Sequence, residues 1–141
     1  MEIVRTLALP RPPEQVFAYL QDFTSTEEWD PGTVRTTRES GDGGVGTRYH
    51  NVSRFLGRET ELTYVVEEAD APRRLRLRGE NATVVSLDTM TVVPTQDGGT
   101  ELTYRAEFTF KGLARLVAPL LSPALRRLGD GAEKGLLKAL G

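Results

Sequence analysis

The sequence predicts an α+β domain in which a curved antiparallel sheet of about seven strands, two short helices and a long C-terminal helix enclose a cavity. Three observations carry this reading. In the last third an alternating strand, Leu102-Tyr104-Ala106-Phe108-Phe110, runs almost directly into a long amphipathic segment, Leu113 to Leu140. The chain before it is a succession of strand-like segments separated by glycine-rich turns. Finally, no Pro/Gly/Ser-rich linker interrupts the 141 residues, so positions 1–141 read as one domain with a sizeable core. A lone apolar helix laid across a curved sheet leaves an enclosed space rather than a solid core, and such a space suits a small apolar ligand.

Each element has a local cause. Glu2 to Leu9 reads as a strand, stopped by Pro10, Pro12 and Pro13, and Pro13 or Glu14 opens a short helix through Val16, Phe17 and Leu20. A second short helix covers Ser25 to Trp29, and Asp30-Pro31-Gly32 breaks it. Thr33 to Glu39 has the β-branched content of a strand. Hairpins follow: Gly41 to Gly46 leads into Thr47–Phe55, Leu56-Gly57 into Arg58–Glu68, and Ala71-Pro72 into Arg73–Arg78. After a turn at Gly79 to Asn81, the strands Ala82–Val93 and Thr100–Phe110 are joined through Asp97-Gly98-Gly99.

In the terminal helix Leu113, Leu116, Val117, Leu120, Leu121, Leu125 and Leu128 recur at helical steps and share one face, expected to lie on the sheet. Pro119 and Pro123 each remove a backbone donor, and Gly129 and Gly131 weaken the middle. Kinks or a break are expected there.

Composition excludes several classes of function. Hydrophobic residues at 38% and charged residues at 27% fit a folded soluble chain. The absence of cysteine removes disulfides, thiolate metal sites and cysteine nucleophiles together. A net charge of −2 gives no reason to expect nucleic acid as a partner. The N-terminal stretch lacks a basic region leading into a long apolar run, and no apolar run is long enough to span a bilayer, so cytoplasm is the expected compartment.

Four motifs carry a family resemblance. Pro12-Pro13-Glu14-Gln15-Val16-Phe17 opens the first helix and Glu28-Trp29-Asp30-Pro31-Gly32 ends the second. Gly44-Val45-Gly46-Thr47-Arg48 enters a strand and Gly98-Gly99-Thr100 enters the last one. In this order, over the whole chain, they resemble the START-related, Bet v 1-like (SRPBCC) superfamily and its polyketide cyclase/dehydrase-like branch. The resemblance implies a helix-grip fold with a hydrophobic cavity. Its members range from lipid and polyketide binders to cyclases and adaptors, so it fixes no activity.

Strand alternation supplies the candidate lining, because side chains two apart share a face. The inward set is Leu102, Tyr104, Ala106, Phe108 and Phe110 on the last strand, with Val84, Ser86, Asp88, Met90 and Val92 beside it. Leu62, Tyr64 and Val66 face inward on one further strand, and Tyr49, Asn51, Ser53 and Phe55 on its neighbour. From these, with Trp29, Val117 and Leu121 contributed by helices, we take the ligand-binding candidates Trp29, Tyr49, Asn51, Phe55, Leu62, Tyr64, Ser86, Met90, Tyr104, Phe108, Val117 and Leu121. Such an aromatic wall with a few hydroxyl and amide groups suits a flat or polycyclic molecule.

Asp88 is the catalytic candidate: an enclosed carboxylate acquires a raised pKa and serves as a general acid or base. The competing reading places it at a wet cavity mouth or, after a register slip, on the outer face. Tyr49, Tyr64 and Tyr104 either orient a ligand carbonyl or are ordinary core aromatics, and Trp29 either guards an entrance or caps the core.

The remaining motifs read as structural. Gly41-Asp42-Gly43-Gly44-Val45-Gly46 matches G-x-G-x-x-G, but strand follows it where a dinucleotide site needs a helix. His50 is the single histidine and lacks a companion ligand, so no metal and no cofactor are expected. Arg74, Arg76 and Arg78 belong to an outer face with glutamates available for pairing. Membrane contact through the helix and its arginines is an alternative to burial on the sheet. Val85 and Leu87, apolar on the outer face, leave monomer and dimer both open. The expected function is binding or carriage of a small hydrophobic molecule, lipid-, polyketide- or polycyclic-like, with a cyclase or dehydratase and a partner-protein or membrane adaptor as alternatives.

Overall fold

The computed structural model describes residues 1–141. Strand β1 (Glu2–Leu9) is followed by helix α1 (Pro13–Gln21), a 3-10 turn (Phe23–Ser25) and helix α2 (Thr26–Trp29). Six strands come next: β2 (Thr33–Ser40), β3 (Arg48–Phe55), β4 (Arg58–Asp70), β5 (Arg74–Glu80), β6 (Val84–Pro94) and β7 (Thr100–Phe110). Helix α3 (Ala114–Leu140) ends the chain. The strands form one antiparallel sheet in the order β1-β7-β6-β5-β4-β3-β2. The fold is the helix-grip arrangement, a sheet wrapped about one long helix.

Local chemistry places the elements. Pro13 occupies the first helical positions of α1, where its missing N–H costs nothing. The β3–β4 hairpin turns on Leu56 and Gly57, both left-handed at φ 53° and 79°, the combination a tight two-residue hairpin demands. In the glycine-rich loop the Thr47 hydroxyl accepts from the Gly43 N–H at 2.9 Å, and a strand leaves the loop, so it is a hairpin connection.

Register follows the alternation. Val92, Met90, Asp88, Ser86 and Val84 stand opposite Leu102, Tyr104, Ala106, Phe108 and Phe110. Tyr49 stands opposite Tyr64, and Asn51 opposite Leu62. A bulge at Glu67 lets β4 turn while Val66 stays buried. On the opposite face Arg54 meets Glu59, Arg74 meets Glu68, Arg76 meets Glu67 and Arg78 meets Glu80, so each of these guanidinium groups has a carboxylate beside it. Val85 and Leu87 are half-buried on that face.

Two expectations about α3 are corrected. The expected break is absent, since the helix runs without interruption from Ala114 to Leu140 despite Pro119 and Pro123. Both prolines are exposed, so the carbonyls they leave unpaired are within reach of water. The buried stripe is also displaced toward the C-terminus: Leu125, Gly129, Ala132, Leu136 and Leu140 are buried, whereas Leu113, Leu116 and Leu120 are 84%, 76% and 78% exposed. At about 3.6 residues per turn Leu113, Leu116 and Leu120 point away from the side on which Ala114, Leu121 and Leu125 line the cavity, so the apolar stripe is wider than the face that is covered.

The glycines read as weak points are points of close approach. A Cβ at Gly129 would lie 2.5 Å from Cγ2 of Ile3, and one at Gly131 would lie 2.6 Å from Cγ of Pro31. At Gly135 it would lie 2.1 Å from the carbonyl oxygen of Trp29, a backbone atom that cannot rotate aside. These contacts seat the C-terminal half of α3 on β1 and on the end of α2. Arg5 reinforces the seat by donating to Oδ1 of Asp130 at 2.8 Å.

Gly135→Ala is therefore expected to destabilise by about 1–3 kcal/mol, overcoming the gain of about 1 kcal/mol in helix propensity. Leu116→Gln should change stability by less than about 0.5 kcal/mol. Urea denaturation of the two variants beside the parent checks both; a stabilised Gly135→Ala protein would refute the close contact.

Candidate functional site

Between α3 and the concave face of the sheet lies a cavity of about 380 Å³. Fourteen of its twenty-five lining residues are hydrophobic, which sets its preference for apolar molecules. Leu121, Leu125, Leu128 and Ala132 of α3 form the roof. Tyr104, Ala106, Phe108 and Phe110 of β7, with Val84, Ser86 and Asp88 of β6 and Leu62 and Tyr64 of β4, form the floor and walls. Exposed Arg58 and Thr83, with half-buried Phe55, Phe110 and Ala114, mark the outer end beside the turns and the start of α3. At the inner end are Asp30 and Gly32, from the loop after α2. Gly79 explains the placement of Tyr64, since any Cβ there would come within 2.5 Å of the phenol ring.

A polar cluster interrupts the apolar lining. Asp88 is only 5% exposed, and its Oδ1 accepts from the Ser86 hydroxyl at 2.9 Å. Burial pushes the Asp88 carboxyl up to about 7; the Ser86 bond offsets part of that, and the Asp30 charge adds to it. Burial also raises Asp30, although its Oδ1 accepts from the Gly32 N–H and its Oδ2 from the Thr33 hydroxyl, each at 3.0 Å. Tyr64 and Tyr104 are held well above the usual phenol range by burial and then by the two carboxylates, so both remain neutral donors. The indole of Trp29 packs edge-on against Tyr104, with ring centroids 5.6 Å apart.

The structure brings Phe55, Leu62, Tyr64, Ser86, Asp88, Tyr104, Phe108 and Leu121 together around the cavity. Five other candidates lie elsewhere. Trp29 is buried in the core behind Tyr104. Tyr49 is core beside Phe23, and its hydroxyl donates to the Gln21 carbonyl at 3.2 Å. Met90 is likewise core. Asn51 donates to the Thr36 hydroxyl at 2.9 Å and accepts from Ser53 at 2.5 Å, a closed structural network. Val117 is 46% exposed on α3 and lies outside the lining. Alternation assigns the correct face to the strand residues, but α1 and the segment up to Trp29 fill one end of that face with Val16, Phe17, Leu20 and Phe23.

Asp30 was read only as part of a helix-breaking turn, and its role as a lining carboxylate was missed. No local signature marks it, because the turn reaches the cavity only by passing beneath α3. His50 lies on the outer face with Nε2 2.8 Å from Oε1 of Glu61. No group of three or more His, Cys, Asp or Glu side chains is arranged to hold a metal ion. No helix is long and apolar enough to cross a membrane.

Comparison with known proteins agrees with this architecture. The family model described as polyketide cyclase/dehydrase and lipid transport matches residues 1–140. Among solved structures, the Zhui aromatase/cyclase of a Streptomyces species superposes with a TM-score of 0.84 at 13% identity, covering 99% of this chain and 93% of that one. A START superfamily protein from Mycobacterium smegmatis gives 0.75 at 14% identity, with 99% of each chain covered. The TTHA0849 protein from Thermus thermophilus gives 0.78 at 18% identity over the whole of both chains. At such identities these likenesses establish the fold alone. No curated protein sequence matches significantly. With its family model matched across nearly the full length and its seven strands closed on one terminal helix around a cavity, the chain belongs to the polyketide cyclase/dehydrase and lipid transport family.

Proposed function

We propose that this protein binds, and carries, a small and largely apolar molecule in the cavity beneath α3. The observation that carries the reading is an apolar-lined space of about 380 Å³ that the protein leaves open in its interior, within the range of about 300–1,000 Å³ common for small-molecule sites. Folding would otherwise favour closing it, because apolar walls without neighbours forfeit dispersion contacts. Phe55, Phe108 and Phe110 at the outer half favour a flat or ring-bearing ligand.

The neutral fluorophore N-phenylnaphthylamine tests this. The parent protein is expected to bind it saturably, with one molecule per chain. Ala106→Trp, which projects an indole into the space from the cavity floor, should weaken binding about tenfold or more, a loss of about 1.4 kcal/mol. Leu116→Gln on the exposed part of α3 should leave it unchanged. Binding that survives Ala106→Trp but falls in Leu116→Gln would move the site to the helix surface.

A second reading, a cyclase or dehydratase, is favoured by Asp88. A carboxyl that titrates at about 7 exists in both protonation states near neutrality and is suited to accept a proton from an activated carbon or to donate one to a departing hydroxyl. Tyr64 and Tyr104 would polarise the carbonyl that acidifies that carbon. If this is the chemistry, Asp88→Asn should lower turnover about 10²–10⁴-fold with little change in substrate affinity.

The same carboxyl makes a stability prediction. Its folded pKa is raised, so between about pH 4 and about 7 the folded protein keeps a proton that the unfolded chain has released. Stability should then fall as pH rises through that window, by up to about 4 kcal/mol, and the cost should persist above it. Asp88→Asn abolishes this contribution. Urea denaturation at the two ends of the window should show a smaller loss for the variant than for the parent; equal losses would contradict the burial of Asp88.

A further inference from the structure

The cavity wall contains two carboxylates, Asp30 and Asp88, and both lie at the same inner end. No cationic side chain accompanies them. The only cationic lining residues are Arg54 and Arg58, both exposed; Arg54 donates its backbone N–H to the Gly32 carbonyl, but its guanidinium is paired with Glu59 at 2.9 Å on the other face of the sheet. Asp88 has one hydrogen-bond partner, Ser86, which engages Oδ1 and leaves Oδ2 unpaired. The Tyr104 side chain lines the same space, is 8% exposed, and its hydroxyl has no partner within the chain. Burying a carboxylate without a counter-charge is expensive, and a buried donor or acceptor left unmatched costs further. A neutral apolar ligand would leave those costs in place, and an anionic one would increase them.

We propose that the inner end of the cavity is a cation subsite, and that the natural ligand is an apolar molecule bearing a protonated amine, received by the carboxylates of Asp30 and Asp88. The ammonium offers several donors, enough to donate to the free Oδ2 of Asp88 and to the unpaired phenol oxygen of Tyr104. The Tyr64 and Tyr104 ring faces add cation–π attraction. The apolar body lies toward Phe108, Phe110 and the α3 roof. This inference rests on the ligand-binding reading above and specifies its ligand class.

A matched pair of probes tests it: naphthylmethylamine, whose amine stays protonated near neutrality, and naphthylmethanol, its neutral counterpart. Each is titrated against the protein loaded with N-phenylnaphthylamine. At roughly pH 8, above the Asp88 midpoint of about 7, the amine should displace the fluorophore about tenfold more tightly than the alcohol or better. In Asp88→Asn that preference should disappear while the alcohol's affinity holds, and in Asp30→Asn it should narrow.

The parent protein supplies a readout that needs no variant. Lowering the pH to roughly 6 protonates Asp88 and should weaken the amine severalfold but not the alcohol. The groups facing Asp88 are Asp30 from the α2–β2 loop, Ser86 on its own strand, Tyr64 from β4 and Tyr104 from β7. The α3 roof contributes no ionisable side chain to the lining. Both phenols stay neutral over this range, so neither contributes to the pH response. An alcohol that binds as tightly as the amine, or a preference that survives Asp88→Asn and the pH change, overturns the cation subsite while leaving the cavity reading intact. Failure of N-phenylnaphthylamine itself to bind the parent protein overturns both.

Discussion

The structure depends on how one helix is seated. Residues Gly129 to Leu140 of α3 fit closely against β1, Pro31 and the end of α2, with Gly135 accepting the Trp29 carbonyl at a distance no side chain permits. Because the helix is fixed at that end and the sheet curves away beneath it, the middle of α3 bridges a gap instead of filling it. At the start of α3 Ala114 lines the space, while Leu113, Leu116 and Leu120 lie on the other side of the helix and remain in solvent. The cavity is thus a product of the fold's geometry, and the side chains pointing into it decide its chemistry.

That chemistry is divided by depth. The outer half is aromatic and aliphatic. The inner half carries Asp30 and Asp88 with Ser86, Tyr64 and Tyr104, in surroundings dry enough to hold Asp88 near a pKa of about 7. The indole of Trp29, packed edge-on behind Tyr104, couples this polar cluster to the same core contact that seats α3.

Much of this was legible in the sequence. Period-two alternation gave the inward face of β3, β4, β6 and β7, and the Asp97-Gly98-Gly99 turn fixed the pairing that puts Asp88 opposite Ala106. Alternation cannot say which part of a face is already filled, so Tyr49, Asn51 and Met90 were assigned to the cavity although α1 and its neighbours occupy that end. Helical periodicity groups Val117 with Leu121, but the covered face of α3 is narrower than the apolar stripe and leaves Val117 outside it. Asp30 was hidden because its role comes from a loop passing under α3, a contact between residues about 100 positions apart with no local signature. Gly129 and Gly131 were read by propensity as defects, and only the packing shows that they admit a neighbouring chain.

The most direct test of the central claim, that α3 bridges a ligand-accessible space, is methyl-detected NMR of the protein with a neutral naphthalene-type probe. The account predicts intermolecular contacts from the probe to the methyl groups of Ala106, Leu125, Leu128 and Ala132, with Leu75 and Leu77 in the packed core unaffected. Contacts confined to Leu113, Leu116 and Leu120 would mean that the exposed face of α3 is the binding surface and would contradict the account.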